Sequence, residues 1–337
     1  MFNKKKILIT GGTGSLGTAL TKRLLKTDVE TIRIFSRDEW KQTQMQASFN
    51  DDKRLRFFIG DVRDKNRLSR SLEDIDIVIH AAALKHVHVA EYNPFEAVKT
   101  NVYGTTNLIE ACLDANVKTV IAVGTDKAVS PFNTYGATKF LMERLIISAN
   151  FYKGNHDIQF SCVRYGNVLG SRGSIVPLFV DQITSGKKIT ITDPTMTRFN
   201  ITMDQALDLI MRAIKYKMGG IVLIPKLKAY RVGDMKNAIT ELLHTKNEVK
   251  RIPVRPGEKY HESLISMDEI RNTYETKEDY MILQEEKDGH HKNLRKTSGI
   301  RKSILKDRYS SDTVKIWTKD ELKSILIKEK LIPQNRK

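Results

Sequence analysis

Cysteine is nearly missing from this 337-residue chain: it has two, Cys112 and Cys162, with no paired spacing. That excludes a disulfide framework and a thiolate zinc site, and it suits a reducing cytosol. Long apolar runs are missing too. None approaches the roughly 20 residues a membrane-spanning helix needs. The run Ile7-Leu8-Ile9 behind Lys4-Lys5-Lys6 is too short for a secretory leader and reads as a buried first strand. A soluble, cytoplasmic protein without a membrane partner is expected. No Pro/Gly/Ser linker, internal repeat or low-complexity tract divides the chain. Acidic residues are the scarcer charge, 40 Asp and Glu against 57 Lys and Arg, for a net charge of +17. Such an excess suits polyanion binding by counterion release. Much of it, however, lies in residues 287–308, which lack the aromatic interleaving on which single-strand binders stack bases. That stretch reads as solvated surface, and no nucleic-acid partner is expected. His80, His86 and His88 have no second ligand cluster beside them, so no metal is assigned.

What is present is alternation. Short β-rich apolar runs at 6–10, 31–36, 55–59, 75–81, 119–123 and 159–164 alternate with helical patterns such as Leu16, Leu20 and Leu24. This predicts an α/β fold, a Rossmann-type doubly wound parallel sheet. From about Gly170 Gly, Pro and Thr become denser and short strands such as 221–225 are interspersed with helices. We expect a dinucleotide-binding unit over 1–169. Residues 170–337 would form a smaller, interleaved substrate-binding region with segments returning to the sheet. Thr318-Lys319-Asp320-Glu321 is a capping box ahead of a final helix.

Gly11-Gly12-Thr13-Gly14-Ser15-Leu16-Gly17 follows a strand and opens a helix, the setting of a dinucleotide fingerprint. Gly11, Thr13, Gly14, Ser15, Leu16 and Gly17 are assigned to the pyrophosphate, where backbone N–H groups meet anionic oxygens at a helix N-terminus. The second strand ends Phe35-Ser36-Arg37-Asp38. A hydroxyl and a guanidinium at Ser36 and Arg37 suit a 2′-phosphate, so NADP is favoured over NAD, with Asp38 alongside as the opposing signal. Asp61 and Val62 are placed at the adenine edge, and Ala81 and Ala82 where backbone passes close to the cofactor.

Thr125-Asp126-Lys127 precedes Tyr135-Gly136-Ala137-Thr138-Lys139. Tyr135 and Lys139 fall on one helix face, where an ammonium can lower a phenol's pKa and make it a base. Asp126 and Lys127 are then spare catalytic groups, suited to an elimination. The plainer alternative for the pair is a surface ion pair at a strand end.

Together with Ala81-Ala82-Ala83-Leu84-Lys85-His86-Val87, Arg164-Tyr165-Gly166-Asn167-Val168, Ser171-Arg172-Gly173-Ser174, Met196-Thr197-Arg198-Phe199 and Arg255-Pro256-Gly257-Glu258-Lys259, these motifs resemble the UDP-N-acetylglucosamine 4,6-dehydratases of the extended short-chain dehydrogenase/reductase superfamily. The likeness runs to about Glu262 and is strongest to the soluble, C5-inverting branch that begins pseudaminic acid biosynthesis. It implies a redox-neutral lyase acting on UDP-N-acetylglucosamine, and a homo-oligomer. Tyr135, assisted by Lys139, would take the C4 hydroxyl proton as hydride leaves C4. Lys127, with a pKa lowered by burial and neighbouring cations, would take the C5 proton, and Asp126 would protonate the departing C6 hydroxyl, with Thr125 beside them. Lys85, Lys139 and Tyr135 would also touch the cofactor, and Lys85, Tyr135, Asn167, Arg172, Arg198, Arg255 and Glu258 the substrate. Glucose-type dehydratases carry Thr-Asp-Glu where this chain has Lys127, and C5-retaining relatives usually carry Met at Tyr135. Gly124, His88 and Asn200 depart from the family's commoner residues. A C5-retaining dehydratase, a UDP-hexose 4-epimerase needing only Tyr135 and Lys139, and a noncatalytic NADP- or RNA-binding protein are the competing readings.

Overall fold

Every other residue of an isoleucine-rich run points to the same side of a sheet, and β1 (Lys6–Thr10) shows the result: Ile7 and Ile9 pack on one face and Leu8 on the other. The computed structural model describes residues 2–283 and 299–333. In it β1, β2 (Thr31–Ser36), β3 (Leu55–Ile59), β4 (Ile77–His80), β5 (Thr119–Val123) and β6 (Gln159–Val163) form a parallel sheet in the order β3-β2-β1-β4-β5-β6. Helices Ser15–Leu24, Glu39–Ser48 and Met203–Tyr216 cover the isoleucine face. Helices Lys65–Leu72, Gly104–Asp114 and Thr134–Tyr152 cover the other. Cys112 and Cys162 are both buried and free within that second core. The fold is the doubly wound α/β architecture read from the sequence.

The sheet is wider than the six sequence runs. The all-buried strand Ile221–Pro225 joins β6 as a seventh parallel strand. Asp279–Leu283, Thr273–Glu275 and Arg301–Lys302 then extend it antiparallel. Of the basic stretch 287–308, residues 287–298 lie outside the described residues. Arg301 in the remainder pairs with Glu275 at 3.0 Å. A third core built on Val176, Phe179, Tyr230, Met235, Leu322 and Leu326 carries most of the remaining chain. It includes the final helix, Lys319–Lys328, which Thr318 caps in the predicted box. Among the described residues no helix is long and apolar enough to cross a membrane.

Candidate active site

Parallel strands end on one edge, and the loops that leave it surround the crevice where α/β sheets take ligands. Here a cleft of about 800 Å³ opens at the ends of β1, β2, β4 and β5. Every residue assigned to the cofactor lies on its wall, from the glycine turn through Ser36, Arg37, Asp61, Val62, Ala81, Ala82 and Lys85 to Tyr135 and Lys139. Gly11 has φ +67°, and a Cβ there would stand 2.8 Å from the Ala82 nitrogen, so only glycine lets the two loops meet. Gly14 then caps helix Ser15–Leu24 without any side-chain hydrogen bond. Its first-turn N–H groups thus have no side-chain acceptor, which fits a pyrophosphate.

At the cleft's other end Asp38 is already engaged: it caps helix Glu39–Ser48 through the Lys41 nitrogen at 3.0 Å and pairs with Lys41 Nζ at 2.7 Å. Arg37 is more than half exposed and 3.7 Å from Asp61. Burial opposes the charge of Asp61, but hydrogen bonds from Arg63 hold its carboxyl below the ordinary range. Lys41, which the sequence reading passed over, brings a second cation to this end.

The reacting end is built on two caps. Thr125 accepts from the Lys127 nitrogen, starting the short turn Asp126–Ala128 after β5, and donates to Asp126 Oδ1 at 2.9 Å. Asn133 caps helix Thr134–Tyr152 through Gly136. This sets Tyr135 in the first turn and Lys139 one turn on. Asn101 ties the Leu84 backbone to Thr138 Oγ1 on that helix, a buried brace no local pattern announces. His80, also buried, pairs with Thr10 at 2.8 Å, and burial lowers its pKa to about 3.

Two electrostatic expectations are corrected. Burial pushes the Tyr135 phenol up to about 12, and the cation that opposes this is Lys127, with help from the Thr125 hydroxyl. Lys139 instead donates to the Val123 carbonyl at 2.7 Å, and burial lowers it to about 8. Burial alone would also lower Lys127, but its Nζ lies 3.0 Å from Asp126 Oδ1 and 3.3 Å from Glu262 Oε1. The two carboxylates outweigh burial and Arg198, and Lys127 is held above its ordinary value.

A small sheet walls this end, with Thr197–Ile201 between Ala229–Arg231 and Asn167–Val168. Tyr230 is the register partner of Arg198, and Asn167 of Asn200, so these four side chains share a face. Asn167 Oδ1 is 3.5 Å from Lys127 Nζ. Both amide atoms of Asn200, Asp126 Oδ2 and Glu262 Oε2 are buried without a hydrogen-bond partner among the described residues. Arg198 is buried and binds Glu258 at 3.1 Å. Lys85 donates to the Arg172 carbonyl, and Arg172 reaches Thr13 at 3.4 Å, so both stay on the dinucleotide cleft. Arg255 is exposed and touches this group only through its backbone nitrogen, 3.4 Å from Glu258 Oε2; like Asp126, Lys127, Asn167, Arg198 and Glu258 it lies outside the lining of the dinucleotide cleft. Glu262 and Tyr230 were missed, since a lone Glu after a charged motif and a Tyr in a short strand carry no local signature.

Fold and cleft together define a Rossmann-type doubly wound α/β protein with a dinucleotide fingerprint on its cleft. Residues 7–285 match the family described as polysaccharide biosynthesis protein. The chain is 48% identical over 284 residues, 84% of each protein, to the inverting UDP-N-acetylglucosamine 4,6-dehydratase of Campylobacter jejuni. It is 39% identical to the UDP-glucose 4-epimerase of Rickettsia rickettsii, over 97% of this chain and 96% of that one. Pen from Bacillus thuringiensis superposes with a TM-score of 0.91 at 38% identity, covering 99% of this chain and 100% of that one. The chain belongs to this polysaccharide-biosynthesis family, alongside the inverting UDP-N-acetylglucosamine 4,6-dehydratases.

Proposed function

We propose that the chain is an NADP-dependent, redox-neutral hydro-lyase. It converts UDP-N-acetylglucosamine to a UDP-4-keto-6-deoxy sugar with inversion at C5, in the cytoplasm, for nonulosonate or other surface-glycan synthesis. The observation that carries this is the placement of Asp126 and Lys127 against each other at 3.0 Å beside the buried Tyr135. A redox step at C4 alone could use the charge of Lys127 but has no use for the acid paired with it.

The Gly11–Gly17 turn, Ser36, Arg37 and Lys139 would hold the dinucleotide, which would supply a reversible hydride couple. Tyr135 receives the C4 hydroxyl proton, and Lys127, the cation acting on the phenol, favours the ionised form that can do so. The resulting ketone acidifies the C5 proton, which Lys127 takes as the free amine. Asp126, within hydrogen-bond reach of Lys127, protonates the C6 hydroxyl as it leaves as water. Reprotonation of C5 from the opposite face gives inversion. Lys85, Asn167, Arg172, Arg198 and Glu258 are the substrate contacts in this reading, and Arg255 joins only from the rim. Residues 1–169 form the dinucleotide-binding unit in this reading, and 170–337 mainly the substrate region, with segments returning to the sheet. Exposed Phe95, Tyr103, Phe140 and Phe151 on neighbouring helices support a homo-oligomer, because single chains seldom leave such apolar surface open.

The epimerase reading is favoured by the Rickettsia relatives. Mass spectrometry of the nucleotide sugar separates the two: loss of one water supports dehydration, whereas an unchanged mass with a new retention time is the epimerase result. The NADP assignment makes its own prediction. Replacing Arg37 and Lys41 together by alanine should weaken NADP⁺ about 10–100-fold, the worth of charge-assisted contacts to one phosphate, and leave NAD⁺ nearly unaffected. Fluorescence titration reads both, and equal losses would mean the two cations do not face a 2′-phosphate.

A further inference from the structure

The acid–base reading of Lys127 contains a conflict. An amine that takes the C5 proton must first be neutral, yet Lys127 lies between two carboxylates and is held as an ammonium. Its proton therefore needs a destination inside the site. Asp126, as the acid for the C6 hydroxyl, must carry its own proton at that step and cannot take a second. Glu262 is the other carboxylate in contact, with Oε1 3.3 Å from Lys127 Nζ. Its second oxygen, Oε2, is buried without a hydrogen-bond partner among the described residues.

The segment around Glu262 is fixed firmly. Its backbone nitrogen is bound by Ser311 Oγ at 3.0 Å, and its carbonyl accepts from the Ser311 nitrogen at 2.8 Å and Ser310 Oγ at 3.2 Å. Three bonds to a strand far along the chain hold a side chain that is nearly all buried. The charged groups around it are Lys127 and Asp126 on the turn after β5, Arg198 on the small sheet and Lys259 in its own loop. Desolvation favours the protonated carboxyl and is only partly offset by the three cations, so Glu262 is raised above the ordinary carboxylate range.

We propose that Glu262 is the proton partner of Lys127: the positioning carboxylate that holds the ammonium at rest and accepts its proton once C4 has been oxidised. This rests on the dehydratase reading. The N–H bond of Lys127 breaks, the electron pair stays on nitrogen, and the proton forms an O–H bond at Glu262 Oε1. The pair stays overall neutral, so the transfer leaves no uncompensated charge in a buried site. Lys127 then takes the C5 proton, C5 receives a solvent-derived proton on its opposite face, and Glu262 passes its own back through Lys127 to Asp126, which gave one to the departing water.

The test is the pH profile of dehydration by Glu262→Gln and Glu262→Asp holoenzymes, with cofactor affinity as the control for folding. In the parent, Lys127 passes its proton to Glu262, and kcat is flat through neutral pH. In Glu262→Gln the amide cannot accept it, and solvent must remove it. With Asp126 still beside it, Lys127 stays protonated at neutral pH. The expected result is a loss of about tenfold or more at pH 7, recovered progressively towards alkaline pH, with KM little changed and Glu262→Asp keeping the parent's profile shape. A Glu262→Gln loss of the same size at every pH, or no loss, overturns the proposal while leaving the dehydratase reading intact. A parent enzyme that removes no water from UDP-N-acetylglucosamine defeats the dehydratase reading, and this proposal with it.

Discussion

Replacing Lys127 by methionine is expected to lower kcat for dehydration by about 10²–10⁴-fold, with cofactor affinity unchanged. Methionine fills similar space but offers neither a charge to Tyr135 nor an amine to C5. Two steps therefore suffer at once. The phenol, already pushed up to about 12 by burial, loses the cation that opposes this shift. Glu262 also loses the ammonium that most opposes the effect of its burial, so its carboxyl is held protonated more strongly. Single-turnover absorbance at the reduced-cofactor band would follow the C4 step, and product mass the elimination. An epimerase would share the loss at the C4 step but release no water from its sugar, so product mass, not the size of the rate loss, separates the two readings. Retention of most of the parent activity would remove Lys127 from the mechanism.

A second large effect lies beneath the site. Arg164, only 2% exposed, binds Glu143 at 2.6 Å, Glu269 at 2.9 Å and the Leu264 carbonyl at 2.9 Å. It joins the helix that carries Tyr135 and Lys139 to the segment that follows Glu262. Gly124 makes room for this ion pair: a Cβ there would run into Glu143 Oε1 and stand 2.8 Å from the Val163 carbonyl oxygen. Arg164→Met leaves Glu143 charged, buried and unpaired, which costs about 3–5 kcal/mol. Urea unfolding should show that loss. The double variant Arg164→Met with Glu143→Leu should recover much of it, because the orphaned carboxylate is then gone too. A single-variant loss below about 1 kcal/mol, typical of surface pairs, would contradict this account of the pair.

Much of this was legible in local pattern. The strand runs at 6–10, 31–36, 55–59 and 119–123 are strands at those bounds, because each is a short β-rich apolar run between turn signals. The turn Gly11–Gly17 lies against the cleft because its glycines answer a backbone demand that few other sequences meet. What was not legible depends on partners distant in sequence. The run 221–225 reads as a strand, yet its place as the seventh parallel strand is decided by pairing with β6. The raised pKa of Lys127 comes partly from Glu262, on another loop altogether. Lys139 lies one turn from Tyr135, as the helix period requires, but its ammonium is turned to the Val123 carbonyl. Arg255 sits in a charged motif with Glu258, and only the fold separates the exposed arginine from the glutamate that meets Arg198.

The most direct test of the central claim is proton NMR of the protein with UDP-N-acetylglucosamine and NADP⁺ in D₂O. The account predicts a new C6 methyl signal, deuterium at C5, and ring couplings of the inverted 4-keto-6-deoxy sugar. A C4 epimer without a methyl signal, or an unchanged sugar spectrum while cofactor is bound, would contradict it.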